Sequence, residues 1–254
     1  MRILTYNVNG IRSAINKGFL EWLAADPADI ICLQEVKACE TDLDCSAFHE
    51  LGYHHFWFPA QKKGYSGVAI LSKTKPDAVH YGDGRAQSDE EGRVLRADFP
   101  AFSVINAYFP SGTTGDVRQA YKYQWLDEFL EQTLQWRQTM KPLIICGDYN
   151  IAHREIDIHN PVSNKNSSGF LPEERAWLDR FFDSGFIDTF RHLNEAPDHY
   201  SWWSYRAAAR KRNKGWRIDY ISACQSLKDR IRQSAILPDV VHSDHCPVRT
   251  TFEF

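Results

Sequence analysis

No run of apolar residues in this chain approaches the roughly 20 needed to span a bilayer, so a membrane is not expected among its partners. None of the six cysteines (Cys32, Cys39, Cys45, Cys146, Cys224 and Cys246) belongs to a C-x-x-C pair, which argues against a zinc finger. Cys32, Cys146 and Cys224 fall instead in apolar, strand-like runs, where free thiols act as small hydrophobes. A reducing compartment is the simplest reading. The N-terminal MRILTYNVNG lacks both the apolar stretch and the small-residue cleavage site of a secretory leader, so the expected location is cytoplasmic, or nuclear in a eukaryote. Long repeats, low-complexity tracts and polar linkers are missing too. The 254 residues therefore read as one domain, 1–254, with a monomer as the default. Disorder is not expected, because 43% apolar and 25% charged residues are ordinary globular usage.

Excess positive charge is also lacking: 30 Lys and Arg face 33 Asp and Glu, a formal net of −3. The distribution, however, is uneven. Residues 206–217, RAAARKRNKGWR, hold six cations (Arg206, Arg210, Lys211, Arg212, Lys214 and Arg217) and no anion, leaving 24 cations against 33 acids, or −9, in the remainder. One basic stretch on an acidic body fits a phosphate footprint. A solvated loop explains the charge alone equally well.

What the chain does contain is apolar, strand-like runs, at 2–7, 29–35, 54–59, 66–72, 93–99, 102–109, 142–146, 200–204, 217–223, 234–237 and 247–254. Helical periodicity marks 17–25, 117–140 and 172–184, the last opening with Pro-Glu-Glu. Many strands with few helices suggest stacked sheets covered by helices.

Five runs end on amides, carboxylates or histidine: ILTYNVNG (Asn7, Asn9), IICLQEVK (Gln34, Glu35), LIICGDYN (Asp148, Asn150), WRIDYI (Asp219) and VVHSDHCPV (Asp244, His245). Burying such groups is costly unless they are paired or metal-bound. The chemistry they suit is cleavage of phosphoryl esters. Glu35 offers a hard oxygen ligand for Mg²⁺, and Asn7 and Asn9 can orient it without adding charge. Asp148 and Asn150, two apart on a strand, would share one face, the first accepting a proton from water and the second donating hydrogen bonds to the phosphoryl group. His245 can serve a phosphate oxygen if Asp219 holds its other nitrogen, and a turn is needed for Asp244 and His245 to act together. Taken singly, each has a plainer explanation: Glu35 a surface carboxylate, Asp219 a strand-end acceptor, Asn7 a turn residue, Tyr108 core, His245 structural. The other nine histidines, the His54-His55 pair included, form no coherent constellation in the sequence.

These motifs resemble those of the exonuclease III and apurinic/apyrimidinic endonuclease family, within the endonuclease/exonuclease/phosphatase superfamily. YNVNGIR, LQEVK, SGVAIL, EGRVLRADF, NAYFP, GDYNIAHREIDIHNP, WWSYR, GWRIDY and SDHCPV occur in the family's order over nearly the whole chain. The resemblance implies a four-layer α/β sandwich, two packed mainly antiparallel or mixed sheets flanked by helices, with the active site between loops at one edge. It implies a Mg²⁺-dependent phosphodiesterase (Mn²⁺ as a substitute) acting on double-stranded DNA at abasic sites and blocked 3′ ends. By motif position Glu35 is the principal metal carboxylate, and the wider metal set is Asn7, Asp148, Asn150, Asp244 and His245. Asp148 and Asn150 handle the nucleophile, Tyr108 stands by the phosphate, Asp219 pairs with His245, and Asn164 lies in a DNA-contacting loop. Trp202, Trp216 and Ile218 resemble a wall that receives a flipped-out abasic sugar, whose extrusion costs least when the base is missing; the two tryptophans read equally as core. Arg210, Lys211 and Arg212 would then meet the DNA backbone. Two departures are Asn9, where some members carry aspartate, and Ser111, where relatives often carry Asn or Gln. The competing readings are a phosphatase of inositol phosphates or sphingolipids and a DNA-binding module with a dead site.

Overall fold

Ten of the eleven apolar runs form strands in a computed structural model covering residues 1–254, and two further strands arise at 78–81 and 186–188, where the sequence pattern marks none. The twelve are β1 (Arg2–Asn7), β2 (Ile30–Gln34), β3 (His54–Phe58), β4 (Val68–Ser72), β5 (Ala78–Tyr81), β6 (Val94–Asp98), β7 (Ser103–Tyr108), β8 (Leu143–Asp148), β9 (Phe186–Asp188), β10 (Asp219–Cys224), β11 (Ile231–Ile236) and β12 (Val248–Phe252). Two six-stranded sheets result, in the orders β11-β12-β1-β2-β4-β3 and β5-β6-β7-β8-β10-β9. Both share one pairing pattern. All neighbours are antiparallel except the central pairs β1/β2 and β7/β8, which are parallel.

Strand alternation gives each sheet two apolar faces. Inward residues such as Ile3, Cys32, Ile70, Val104, Ile144 and Ile221 pack the sheets against each other. The outer faces are covered by helices: α1 (Ile11–Asn16), α2 (Phe19–Ala25) and α3 (Ser46–Glu50) on the first sheet, α5 (Asp116–Thr139) and α7 (Pro172–Asp183) on the second. Three short helices, α4 (Ala86–Glu90), α6 (Pro161–Asn164) and α8 (Thr189–Leu193), complete the chain. The result is the four-layer α/β sandwich, with flanking helices and mixed sheets. No helix is long and apolar enough to cross a membrane.

The three longer helices fall within two residues of their sequence-derived bounds, because each presents aromatic side chains to a sheet at helical spacing. Trp125 and Phe129 of α5 and Trp177 and Phe181 of α7 are fully buried. Two expectations fail. Residues 200–204 form no strand: Trp202 makes isolated bridges to Trp216 and His245 only. Likewise β10 begins at Asp219 rather than at 217, because the Arg217 backbone N–H turns to the Asp157 carbonyl (2.8 Å) instead of a neighbouring strand.

Parallel neighbours deliver both C-terminal ends to one edge. Asn7 lies opposite Gln34, and Tyr108 opposite Asp148, while β10 enters beside β8 with Asp219 opposite Asp148. Gly147 makes this possible in β8, since a Cβ there would collide with the Ala107 carbonyl of β7. A buried amide stitches the sheets together. Asn106 on β7 donates to the Leu33 and Ala69 carbonyls (2.9 and 2.7 Å) and accepts from Gln34 (2.7 Å).

Candidate active site

At this shared edge the five polar strand ends converge. Glu35 leaves β2 in a left-handed conformation (φ 49), uncommon for a residue with a side chain. Its Oε1 accepts from Asn7 Nδ2 (2.9 Å) and the Tyr108 hydroxyl (2.8 Å), and its Oε2 pairs with Lys37 (2.8 Å). Asn7 donates equally to Asp148 Oδ2 (2.8 Å), so one buried amide spans the carboxylates of both sheets. Asn150 does not continue the strand as the sequence spacing implies; it too is left-handed (φ 52). Its side chain still returns to the site, since its backbone N–H donates to Asp148 Oδ1 (2.8 Å) and its amide to the Phe109 carbonyl (3.0 Å). The segment around Asn150 is clamped by a wholly buried ion pair. Lys122 of α5 reaches the Asn150 carbonyl (2.8 Å) and Glu174 of α7 (2.5 Å).

On the far side, the turn Ser243–Asp244 brings Asp244 and His245 round together. Asp219 Oδ2 lies 2.9 Å from His245 Nδ1, leaving Nε2 facing Asp148 at 3.9 Å. Asp244 accepts from Asn9 (2.9 Å) and from the Trp202 indole (3.1 Å), and Lys37 closes the ring onto Asn9 (2.5 Å).

Burial and charge sort these groups by proton affinity. Burial, then the neighbouring Asp219 charge, pushes the Asp148 carboxyl up to about 7. Burial opposes the charged form of His245, but the Asp219 carboxylate and its hydrogen bond, with Asp148 and Asp244 behind, hold the ring up at about 10. Glu35 moves the other way: burial is outweighed by the Lys37 ammonium and the hydrogen bonds from Asn7 and Lys37. Tyr108 is held well above the usual phenol range by burial and by the Glu35 and Asp148 charges.

The cleft over these groups has a volume of about 770 Å³, and Trp202, Trp216 and Ile218 form one wall. The tryptophans meet edge to face (6.1 Å), half-buried and packed on Ile158 and Phe170, so they line the cleft rather than fill the core. Asn164 is not at the cleft. Its amide donates to the His159 and Asn160 carbonyls of its own loop, and Asn166 and Ser167 reach the opening instead. The basic run is divided. Arg217 is buried against Asp157 (2.7 Å) and Asp188 (2.8 Å), and Arg210 stacks on Trp203 while donating to the Ser243 and Val240 carbonyls (2.9 and 2.6 Å). Arg206, Lys211, Arg212 and Lys214 are exposed, with Arg212 also donating to the Ala207 carbonyl.

Comparison with known proteins agrees with this architecture. The Endonuclease/Exonuclease/phosphatase family matches residues 4–245. The chain belongs to that family. It is 46% identical over 250 residues to an exodeoxyribonuclease of Bacillus subtilis, covering 98% of each chain. It is 41% identical to the DNA repair nuclease APEX1 of Danio rerio, covering 98% of this chain and 81% of that one. Among solved structures, an AP endonuclease from Archaeoglobus fulgidus superimposes with a TM-score of 0.89 at 32% identity, and a 3′-5′ exonuclease (NExo) from Neisseria meningitidis with 0.93 at 29%, each covering both chains fully. Within the endonuclease/exonuclease/phosphatase family the chain therefore stands with the exodeoxyribonuclease and AP endonuclease branch, as the motifs imply.

The family's site here has a donor set suited to a hard cation. Glu35, Asp148 and His245 each present a donor atom, all within 4.8 Å of one another. The two carboxylates match Mg²⁺-type oxygen coordination, and Glu35 stays ionised. Asp219 holds His245 Nδ1 and raises the ring's proton affinity, which in this arrangement favours its charged form over a ligating one. Asn7 points its N–H₂ at both carboxylates and gives its oxygen to the Asn9 N–H (3.0 Å), so it orients rather than ligates. Lys37, Lys122 and Asn106 escaped the sequence reading. Only LQEVK held a trace of the first, and the partners of the other two come from distant elements.

Proposed function

We propose that this chain is a divalent-metal-dependent DNA repair nuclease that cuts duplex DNA 5′ to abasic sites and trims 3′ ends as an exonuclease and 3′-phosphatase. The observation that carries the reading is the opposed tuning of three neighbouring groups: Glu35 anionic, Asp148 titrating at about 7 and His245 cationic to about 10, beside an indole-lined cleft. An AP endonuclease and a 3′ phosphatase bound to product DNA hairpin among the structural relatives support it.

Glu35, with Asp148 nearby, would hold Mg²⁺ or Mn²⁺. When bound, the ion supplies positive charge that offsets charge building on the phosphate and the departing 3′ oxygen. Asp148 accepts the proton of the attacking water as its oxygen bonds to phosphorus, and a pKa near neutrality suits a general base. Tyr108 does not compete for that role: its hydroxyl keeps its proton and donates a hydrogen bond to Glu35 (2.8 Å). His245 Nε2–H donates to a non-bridging phosphate oxygen, and Asn150 sits beside Asp148 to direct the water. Trp202, Trp216 and Ile218 form a slot for a sugar that has lost its base.

One assay tests this: abasic duplex, intact duplex and a 3′-phosphorylated primer, each with EDTA and after Mg²⁺ is restored. Mg²⁺-dependent cleavage at the abasic site supports the proposal. Binding without cleavage, or turnover of lipid or inositol phosphates alone, overturns it.

A further inference from the structure

A second group of metal-type donors lies away from the cleft, at the edge of the first sheet. Glu40 stands on a single 3₁₀ turn (Glu40–Asp42), Cys45 caps α3, and His55 lies on the edge strand β3. Each offers one donor atom, and the three atoms lie within 4.8 Å of one another. His49 stands beside this group without being one of its three donors. Its backbone N–H donates to the Cys45 carbonyl (3.4 Å), so the two side chains rise one turn apart on the same helix face. Its Nε2 meets His55 Nε2 at 3.0 Å.

We propose that Glu40, Cys45 and His55, with His49 orienting the His55 ring, form a peripheral site for a divalent transition ion of the zinc class. Sulfur, imidazole and carboxylate are the donors such an ion selects, whereas the cleft offers hard oxygens, so the two sites discriminate between metals. His55 is held on both sides: Nδ1 lies 3.5 Å from Glu40, and Nε2 faces His49. With Nδ1 turned to the ion beside Glu40, His49 orients the ring through Nε2, the arrangement that metal-bound imidazoles need. Trp57 donates to Nδ1 (3.0 Å) and yields that lone pair when Nδ1 ligates. Only 6% of the His55 side chain is exposed, so its ring is held in place by the groups around it. Binding releases the Cys45 thiol proton to solvent, which makes affinity rise with pH. The ion would tie the 3₁₀ turn and α3 to an otherwise unpaired strand edge. Because its ligands come from three elements, the missing C-x-x-C says nothing about it.

Titrating the metal-stripped chain with Co²⁺ tests the site, because thiolate ligation gives a near-ultraviolet charge-transfer band that an oxygen-only site lacks. The expected result is one equivalent of Co²⁺ with that band and competition by Zn²⁺. The band disappears in Cys45→Ser and survives in Cys39→Ser, and in His49→Ala affinity falls about 10–100-fold. Cleavage of abasic duplex in Mg²⁺ should be unchanged in Cys45→Ser and His49→Ala, which also shows that both fold. No band in the wild type, or a band that survives Cys45→Ser, overturns the proposal.

Discussion

Asp148 concentrates the chemistry of the site in one side chain, and its environment dictates how activity should depend on pH. With the carboxyl up at about 7, kcat/KM should rise with pH through neutrality as Asp148 ionises, and fall near 10 as His245 loses its proton. Asp148→Asn keeps the shape and removes the proton acceptor, so single-turnover cleavage should drop by about 10²–10⁴-fold or more while duplex binding survives. A loss under about tenfold would place the base elsewhere. At this scale the sequence was partly readable: Asn7, Glu35 and Asp148 stand where β1, β2 and β8 stop, whereas Asp219 opens β10, Asp244 and His245 lie in the loop before β12, and Tyr108 stood out only through the motif resemblance. It did not reveal Lys37 or Lys122. Each acts through a partner more than local spacing can supply, and Lys122 in particular sits among α5 aromatics that identify only a helix.

Elements were legible in proportion to their length and periodicity. The longer helices α5 and α7 bury aromatic stripes, whereas α4, α6 and α8 have one turn each and no stripe to display. The segment 206–217 shows where composition misleads. Six like charges suggest one footprint, yet Arg217 neutralises Asp157 and Asp188, and Arg210 braces the 238–245 loop that carries His245. The run should therefore split by mutation. Lys211→Ala with Lys214→Ala should lower the salt dependence of DNA binding, by about 0.9 in log–log slope for each phosphate no longer neutralised. Arg210→Ala should instead lower Tm and turnover with the slope unchanged. Affinity against salt, measured beside thermal unfolding, separates the two.

Across the whole molecule, the sandwich was accessible only through motif resemblance. Alternating apolar runs are compatible with several sheet arrangements, and how the two sheets stack is fixed by contacts such as Asn106 with Leu33 and Ala69, far apart in sequence. That amide is also the fold's exposed weakness. Asn106→Ala would remove the donors to the Leu33 and Ala69 carbonyls while Gln34 keeps Thr5 and the Cys32 carbonyl, and each group left unsatisfied costs about 1–3 kcal/mol, so the urea midpoint should fall. An unchanged midpoint would mean that the sheets are held by apolar packing alone.

The convergence of four acids at one seam also makes the site a burden on the fold that carries it. The Asp148 carboxyl keeps its proton to about pH 7 when folded but gives it up from about 3.8 when unfolded. The chain therefore loses stability as pH rises across that window, a cost on the order of a few kcal/mol. The substitution that silences the nuclease should thus harden the protein: Asp148→Asn is expected to raise Tm at pH 8 by several degrees, at roughly 2–4 °C per kcal/mol, and to flatten the decline between pH 4 and 7. A divalent ion should do the same for the wild type, by lodging against the charges that repel. Selection for thermal endurance alone would erode this edge first, because the seam is the part of the sandwich built for work rather than for strength.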